Sequence, residues 1–147
     1  NEDKEGKPFV GRAGKLLDKM LQAISLNRKN VYISNVVNFR PPKNRKPTEE
    51  EIKRYLPYLL KHIELINPKI LLLLGSTALN ALIGNEIVIS KARGKWVNKK
   101  IGDSEVAIIA SFHPAFLMRQ PDQKKFAWED LKMVKKKMFE FKIKLNV

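Results

Sequence analysis

Ile70-Leu71-Leu72-Leu73-Leu74-Gly75-Ser76 is the stretch that decides the fold of this chain. Five aliphatic residues in a row, with no polar residue at alternate positions, suit a strand buried on both faces, as in a parallel sheet. Gly75 stops the run, and Ser76 is placed to cap a short helix that Gly84 ends. Val106 to Ala110 repeats the pattern and leads through Ser111 and Phe112 into His113-Pro114. Around these two strands the elements alternate. Leu16, Leu17, Met20, Leu21 and Ile24 share one face of a helix predicted from Lys15 to Leu26, after a glycine-rich loop over residues 1–14. Val31 to Val37 is β-branched and reads as a strand. Thr48 followed by Glu51 is a capping box opening a helix to about Ile66, which Pro57 should kink or break. Ile87 to Val97 reads as a strand or hairpin, and a last helix runs from about Asp122 to Phe141.

This alternation predicts a three-layer α/β/α sandwich with a short, mainly parallel central sheet, in one domain spanning residues 1–147. Ligands of such sheets bind at the carboxyl ends of the strands. Asn35, Gly75-Ser76 and His113 are expected to meet there on one rim. His62, on the edge of its helix, reads as structural.

The chain has 147 residues and a formal net charge of +14, which points to a polyanionic partner, most simply nucleic acid. Lysine outnumbers arginine, so a lysine-rich coding bias explains part of that charge. The triplet Lys135-Lys136-Lys137 reads as a solvated helix face. There is no cysteine, so no disulfide, zinc-thiolate or iron–sulfur site can be built from these residues, in keeping with a cytoplasmic protein. No apolar run approaches the ~20 residues of a membrane span, and no signal peptide is visible.

The run Glu2-Asp3-Lys4-Glu5-Gly6-Lys7-Pro8-Phe9-Val10-Gly11-Arg12-Ala13-Gly14 resembles the segment after the first motif of family 4 uracil-DNA glycosylases. Ser34-Asn35-Val36-Val37 with Arg40-Pro41-Pro42-Lys43-Asn44-Arg45 resembles that family's second signature. His113-Pro114-Ala115 with Leu117 and Arg119 resembles its third, and Trp128-Glu129-Asp130-Leu131 is also similar. The resemblance implies a hydrolase that flips uracil out of single- or double-stranded DNA and cleaves its N-glycosidic bond, acting as a monomer.

Each residue then acquires an expected role. Phe9 would stack on the flipped uracil. Asn35, with one donor and one acceptor, would read the O4 and N3–H edge that cytosine presents in reverse. His113 would hydrogen-bond O2 and stabilise the charge arriving on the base. Glu2 is the surviving acid for the water and the sugar cation, with Asp3 beside it. Leu117, helped by Met118, would fill the space the nucleotide leaves, and Arg119, Lys43, Arg45 and Ser76 would contact the backbone. The residue types also admit a core aromatic for Phe9, a strand-end cap for Asn35 and a satisfied strand-end histidine for His113.

The chain also departs from the family. The Gly-Glu-Ala-Pro-Gly motif expected before Glu2 is absent, so the chain reads as a fragment lacking that motif and its strand. Two of the four cysteines that hold a 4Fe–4S cluster in the family align with Phe39 and Tyr55, so no cofactor is expected. Two other readings stand beside the enzyme. One is an inactive DNA-binding or polymerase-associated module of the same fold. The other is a nucleotide-binding α/β protein, for which Gly75-Ser76-Thr77 is the one available phosphate loop.

Overall fold

The structure, a computed structural model, describes residues 11–27, 31, 48–84 and 86–141. The chain forms two compact units: Asn1–Ser34 with Phe112–Val147, and Asn35–Ser111. The predicted strand over residues 32–37 and the basic loop from Arg40 to Pro47 lie outside the described residues.

The second unit holds the sheet. After helix α1 (Gly11–Ala23) in the first unit, the described elements continue with α2 (Glu49–Ile66), β1 (Ile70–Leu74), α3 (Ser76–Leu82), α4 (Ile89–Ala92), β2 (Val97–Ile101) and β3 (Ser104–Ser111). β3 is central, with β1 parallel on one edge and β2 antiparallel on the other. The α/β class is as expected. The described sheet is mixed rather than simply parallel, because β2 and β3 form a tight hairpin. The Ile70↔Ala107 to Leu74↔Ser111 register aligns the two apolar runs along their length.

The core of this unit follows from the apolar periodicity. Ile63 of α2, Leu73 of β1, Leu79 and Leu82 of α3, and Ile101, Val106, Ile108 and Ala110 of the hairpin are buried together. Leu56, Leu59 and Leu60 pack against them from α2. Thr48 caps that helix as its sequence predicts. The Thr48 N–H donates to Glu51 Oε1 at 2.9 Å, and the Glu51 N–H donates to Thr48 Oγ1 at 3.1 Å.

Several boundaries differ from expectation for local reasons. α2 runs unbroken through Pro57. Pro57 and Lys53 are both exposed, so the carbonyl left without a partner faces water, which can satisfy it. Ser76 does not cap α3; Gly75 does, at φ 95°, a left-handed value that glycine adopts without strain. The segment from Ile87 to Val97 is not a hairpin. It holds the one-turn helix α4, and the loop before it is pinned by Asn80 Nδ2, which donates to the carbonyls of Gly84 at 2.9 Å and Ile87 at 3.0 Å.

The first unit contains α1, α5 (Pro114–Arg119), a 3₁₀ turn (Pro121–Gln123) and α6 (Lys124–Glu140). α1 begins at Gly11, inside the expected loop, and ends at Ala23 instead of Leu26. Its end is a Schellman motif. Ser25 is left-handed at φ 64°, the Leu26 N–H donates to Leu21 O at 2.8 Å, and the Ser25 N–H donates to Gln22 O at 3.0 Å. Leu21 and Leu26 are both buried, the apolar contact such a motif favours.

The hairpin turn is Gly102-Asp103, with φ 65° at Gly102 alone, the signature of a type II′ turn. A Cβ at Gly102 would also stand 2.5 Å from Glu64 Cγ. Gly102→Ala is therefore expected to destabilise the protein by about 1–2 kcal/mol, read as a lower midpoint in thermal or urea unfolding.

Candidate active site

β3 ends at Ser111, whose carbonyl accepts the Gly75 N–H at 2.9 Å. This bond carries the β1–β3 pairing one step past Leu74, so the carboxyl ends of both strands lie side by side. Ser76 stands at that rim, half-buried, as the first residue of α3. Two residues beyond Ser111 the chain reaches His113.

His113 is extended, at φ −67° and ψ 140°, and is the N-cap of α5. Pro114 follows at the first helical position, where its fixed φ suits the helix and its missing N–H costs nothing. The Ala115 N–H donates to His113 Nδ1 at 3.0 Å, and the Leu117 N–H donates to the His113 carbonyl at 3.2 Å. Both ends of the histidine thus close the first turn of the helix. Phe112 and Phe116 pack with ring centroids 4.8 Å apart, bracketing the histidine in sequence.

Burial pushes the His113 pKa below its ordinary value of 6.5, and the positive charge of Arg119 pushes it the same way. The ring is neutral at pH 7. A neutral ring whose Nδ1 accepts a hydrogen bond carries its proton on Nε2. The site therefore offers a neutral N–H donor, suited to an oxygen that gains negative charge during a reaction.

The remaining expected residues fare differently. Glu2, Phe9, Asn35, Phe39, Lys43 and Arg45 lie outside the described residues. Arg119 is exposed, and Met118 beside it is 39% exposed. Leu117 is 1% exposed, because it falls one helical turn after buried Pro114 and faces the interior with it. As placed it is a core residue and does not project towards a ligand. Tyr55 is half-buried on α2, its ring 6.4 Å from that of Tyr58. Among the described residues no three His, Cys, Asp or Glu side chains are grouped to hold a metal ion, and no helix is long and apolar enough to cross a membrane.

The sequence reading missed the Phe112–Phe116 contact and the burial of Asp130. The Phe112–Phe116 pair has the i, i+4 spacing that signals a contact only once the start of α5 is known. Asp130 of α6 is wholly buried; its place in an apolar-spaced run with Ala127, Leu131 and Val134 was the available signal.

A half-buried, neutral histidine that starts a helix just past the carboxyl end of a central strand, in a strongly basic chain, fits an α/β hydrolase of nucleic acid. The model of the Uracil DNA glycosylase superfamily matches residues 1–132, and the chain belongs to that superfamily. It is 42% identical over 140 residues to a type-4 uracil-DNA glycosylase of Sulfurisphaera tokodaii, covering 92% of this chain and 64% of that protein. To the type-4 uracil-DNA glycosylase of Thermotoga maritima it is 41% identical over 140 residues, covering 91% and 70%. It is also 32% identical over 134 residues to a DNA polymerase of Bacillus phage SP01, covering 90% of this chain and 14% of that protein. The chain thus spans about two thirds of the length of the type-4 relatives.

The lowered pKa has a direct consequence. In the unfolded chain the histidine binds a proton near its ordinary value of 6.5; in the folded protein it does so only at lower pH. Its contribution to stability is complete above 6.5 and is lost as pH falls through the folded value. NMR of the imidazole nitrogens is expected to show the Nε2–H tautomer at pH 7 and a midpoint below that of free histidine.

Proposed function

We propose that this protein is a DNA-repair glycosylase that hydrolyses the N-glycosidic bond of uracil in DNA. The observation that carries the reading is the His113 ring held by its own helix, its Nδ1 accepting the Ala115 N–H, which puts the proton of the neutral ring on Nε2. As the bond to the sugar breaks, the electron pair moves onto the base, and O2 gains negative charge. The Nε2–H donates to that oxygen and strengthens its bond as the charge grows. The sugar becomes an oxocarbenium-like cation. Water attacks its C1′, with Glu2 as the carboxylate that receives the water's proton. Phe9 stacks on the flipped base and Asn35 reads its edge. Arg119, Lys43, Arg45 and Ser76 serve the backbone. These assignments rest on the motif resemblance and on the type-4 names of the relatives.

The chain's residues do not fit the 4Fe–4S cluster found in family 4. Cluster iron is held by thiolates, and Phe39 and Tyr55 stand at the two alignable positions. We therefore assign the protein no cluster. On the same reading it acts as a monomer in the cytoplasm, on single- or double-stranded DNA. An inactive module of this fold is the lesser alternative, because it gives the neutral, capped histidine no task.

The test is release of uracil from single- and double-stranded oligonucleotides, measured as abasic-site formation. His113→Ala is expected to lower the rate by about 10²–10³-fold, as loss of one preorganised donor does, while DNA binding changes little. Binding without uracil release by the unaltered protein would favour the inactive module.

Asn35→Asp gives a second expectation. It replaces an amide donor with an acceptor facing the base, at a cost of about 1–3 kcal/mol in uracil recognition. Parallel assays on uracil- and cytosine-containing strands should show the preference for uracil reduced.

A further inference from the structure

We propose that Met118, and not Leu117, is the side chain that enters the base stack when the target nucleotide leaves it. The inference rests on the glycosylase reading above and changes which residue does the inserting.

The argument is the geometry of one short helix. α5 spans Pro114–Arg119, and its buried residues are Pro114 and Leu117, three apart on one face. Leu117 is 1% exposed. To reach DNA it would have to leave the core of its unit and open a cavity there. Met118 lies roughly 100° further around the helix and is 39% exposed. It shares the outward face with Ala115 and Arg119 by i, i+3 and i, i+4 spacing. That face carries one long apolar side chain beside one exposed guanidinium. An apolar wedge next to a phosphate contact is the pairing a protein needs to hold an unstacked duplex.

The separation also fits. Met118 is five residues from His113, about 7.5 Å along a helix axis at 1.5 Å per residue. This is roughly two base steps on one strand of DNA. The base held at His113 and the gap it leaves are thus within reach of one helix. The Phe112–Phe116 contact and the His113 cap fix that helix, so Met118 projects from a rigid support. Methionine is unbranched and adaptable, which suits a gap of irregular shape.

The experiment compares Met118→Ala, Met118→Leu and Leu117→Ala on uracil in a U:A duplex, in a U:G mismatch and in single strands. The duplex must be unstacked, the mismatch less so, and the single strand hardly at all. Met118→Ala is expected to lower the ratio of U:A duplex rate to single-strand rate at least tenfold, with a smaller fall for U:G, and Met118→Leu to restore it. Leu117→Ala should lower the melting temperature and leave the ratio unchanged. An unchanged ratio in Met118→Ala, or a lowered ratio with an unchanged melting temperature in Leu117→Ala, overturns the proposal. The fluorescence of 2-aminopurine placed beside the uracil reads insertion on binding alone. It should rise with the unaltered protein and not with Met118→Ala; no rise with the unaltered protein also overturns the proposal. Failure of the glycosylase reading looks different, since uracil is then released from none of the three substrates.

Discussion

β3 is bonded on both edges, and the rest of the second unit depends on that. Every residue from Val106 to Ser111 is buried, so water cannot satisfy its backbone groups, and each must find a partner in a neighbouring strand. β1 supplies one edge and β2 the other. The pairing with β1 lasts until Gly75 donates to Ser111 O, which requires the left-handed turn at Gly75 that only glycine makes cheaply. α3 starts at that turn. The antiparallel pairing with β2 likewise depends on the left-handed turn at Gly102. The two glycines at these strand ends are what allow a short apolar strand to be enclosed on both edges.

The protonation state of His113 is decided by several effects of one sign. Burial comes first, and the charge of Arg119 second. An imidazolium would also forfeit the bond that Nδ1 accepts from Ala115, since a protonated ring has no acceptor. It would stand at the positive end of a helix as well, where a cation loses about 0.3–1 kcal/mol. Arg119 is the weakest partner in this set, because it is exposed and screened by salt. Desolvation and the lost hydrogen bond do not depend on the arginine.

The sheet was legible where runs were uniform and capping was local. Ile70 to Leu74 forms a strand over the span expected, and the Thr48–Glu51 box forms as its spacing demands. Both are decided by residues within a few positions of each other. The hairpin was misplaced because Lys99, Lys100 and Asn98 of β2 carry no apolar alternation; their strand exists through pairing with buried β3, which is not a local property. The end of α1 was misjudged because Ser25 is not a residue that advertises a left-handed turn. At the site, the histidine and its proline were readable from type and order. Tautomer and charge state were not, since they depend on an N–H two residues away and on how much water the fold removes.

Leu117 shows where similarity of motif and physics of position part company. A leucine four residues after the histidine looks like the apolar residue that enters DNA, because motif order says nothing about which side of a helix faces the protein. Once Pro114 starts α5, position decides. Three residues later the chain has returned to the buried face, and one step beyond it the next side chain points out. Burying Leu117 also serves the site, because a six-residue helix has too few internal hydrogen bonds to stand alone. Its orientation comes from the leucine and the phenylalanine pair that anchor it. The core contact of α5 and its outward face thus fall to adjacent residues, Leu117 and Met118. A helix held by Leu117 keeps both the His113 cap and the Arg119 guanidinium in place and leaves Met118 outside the core.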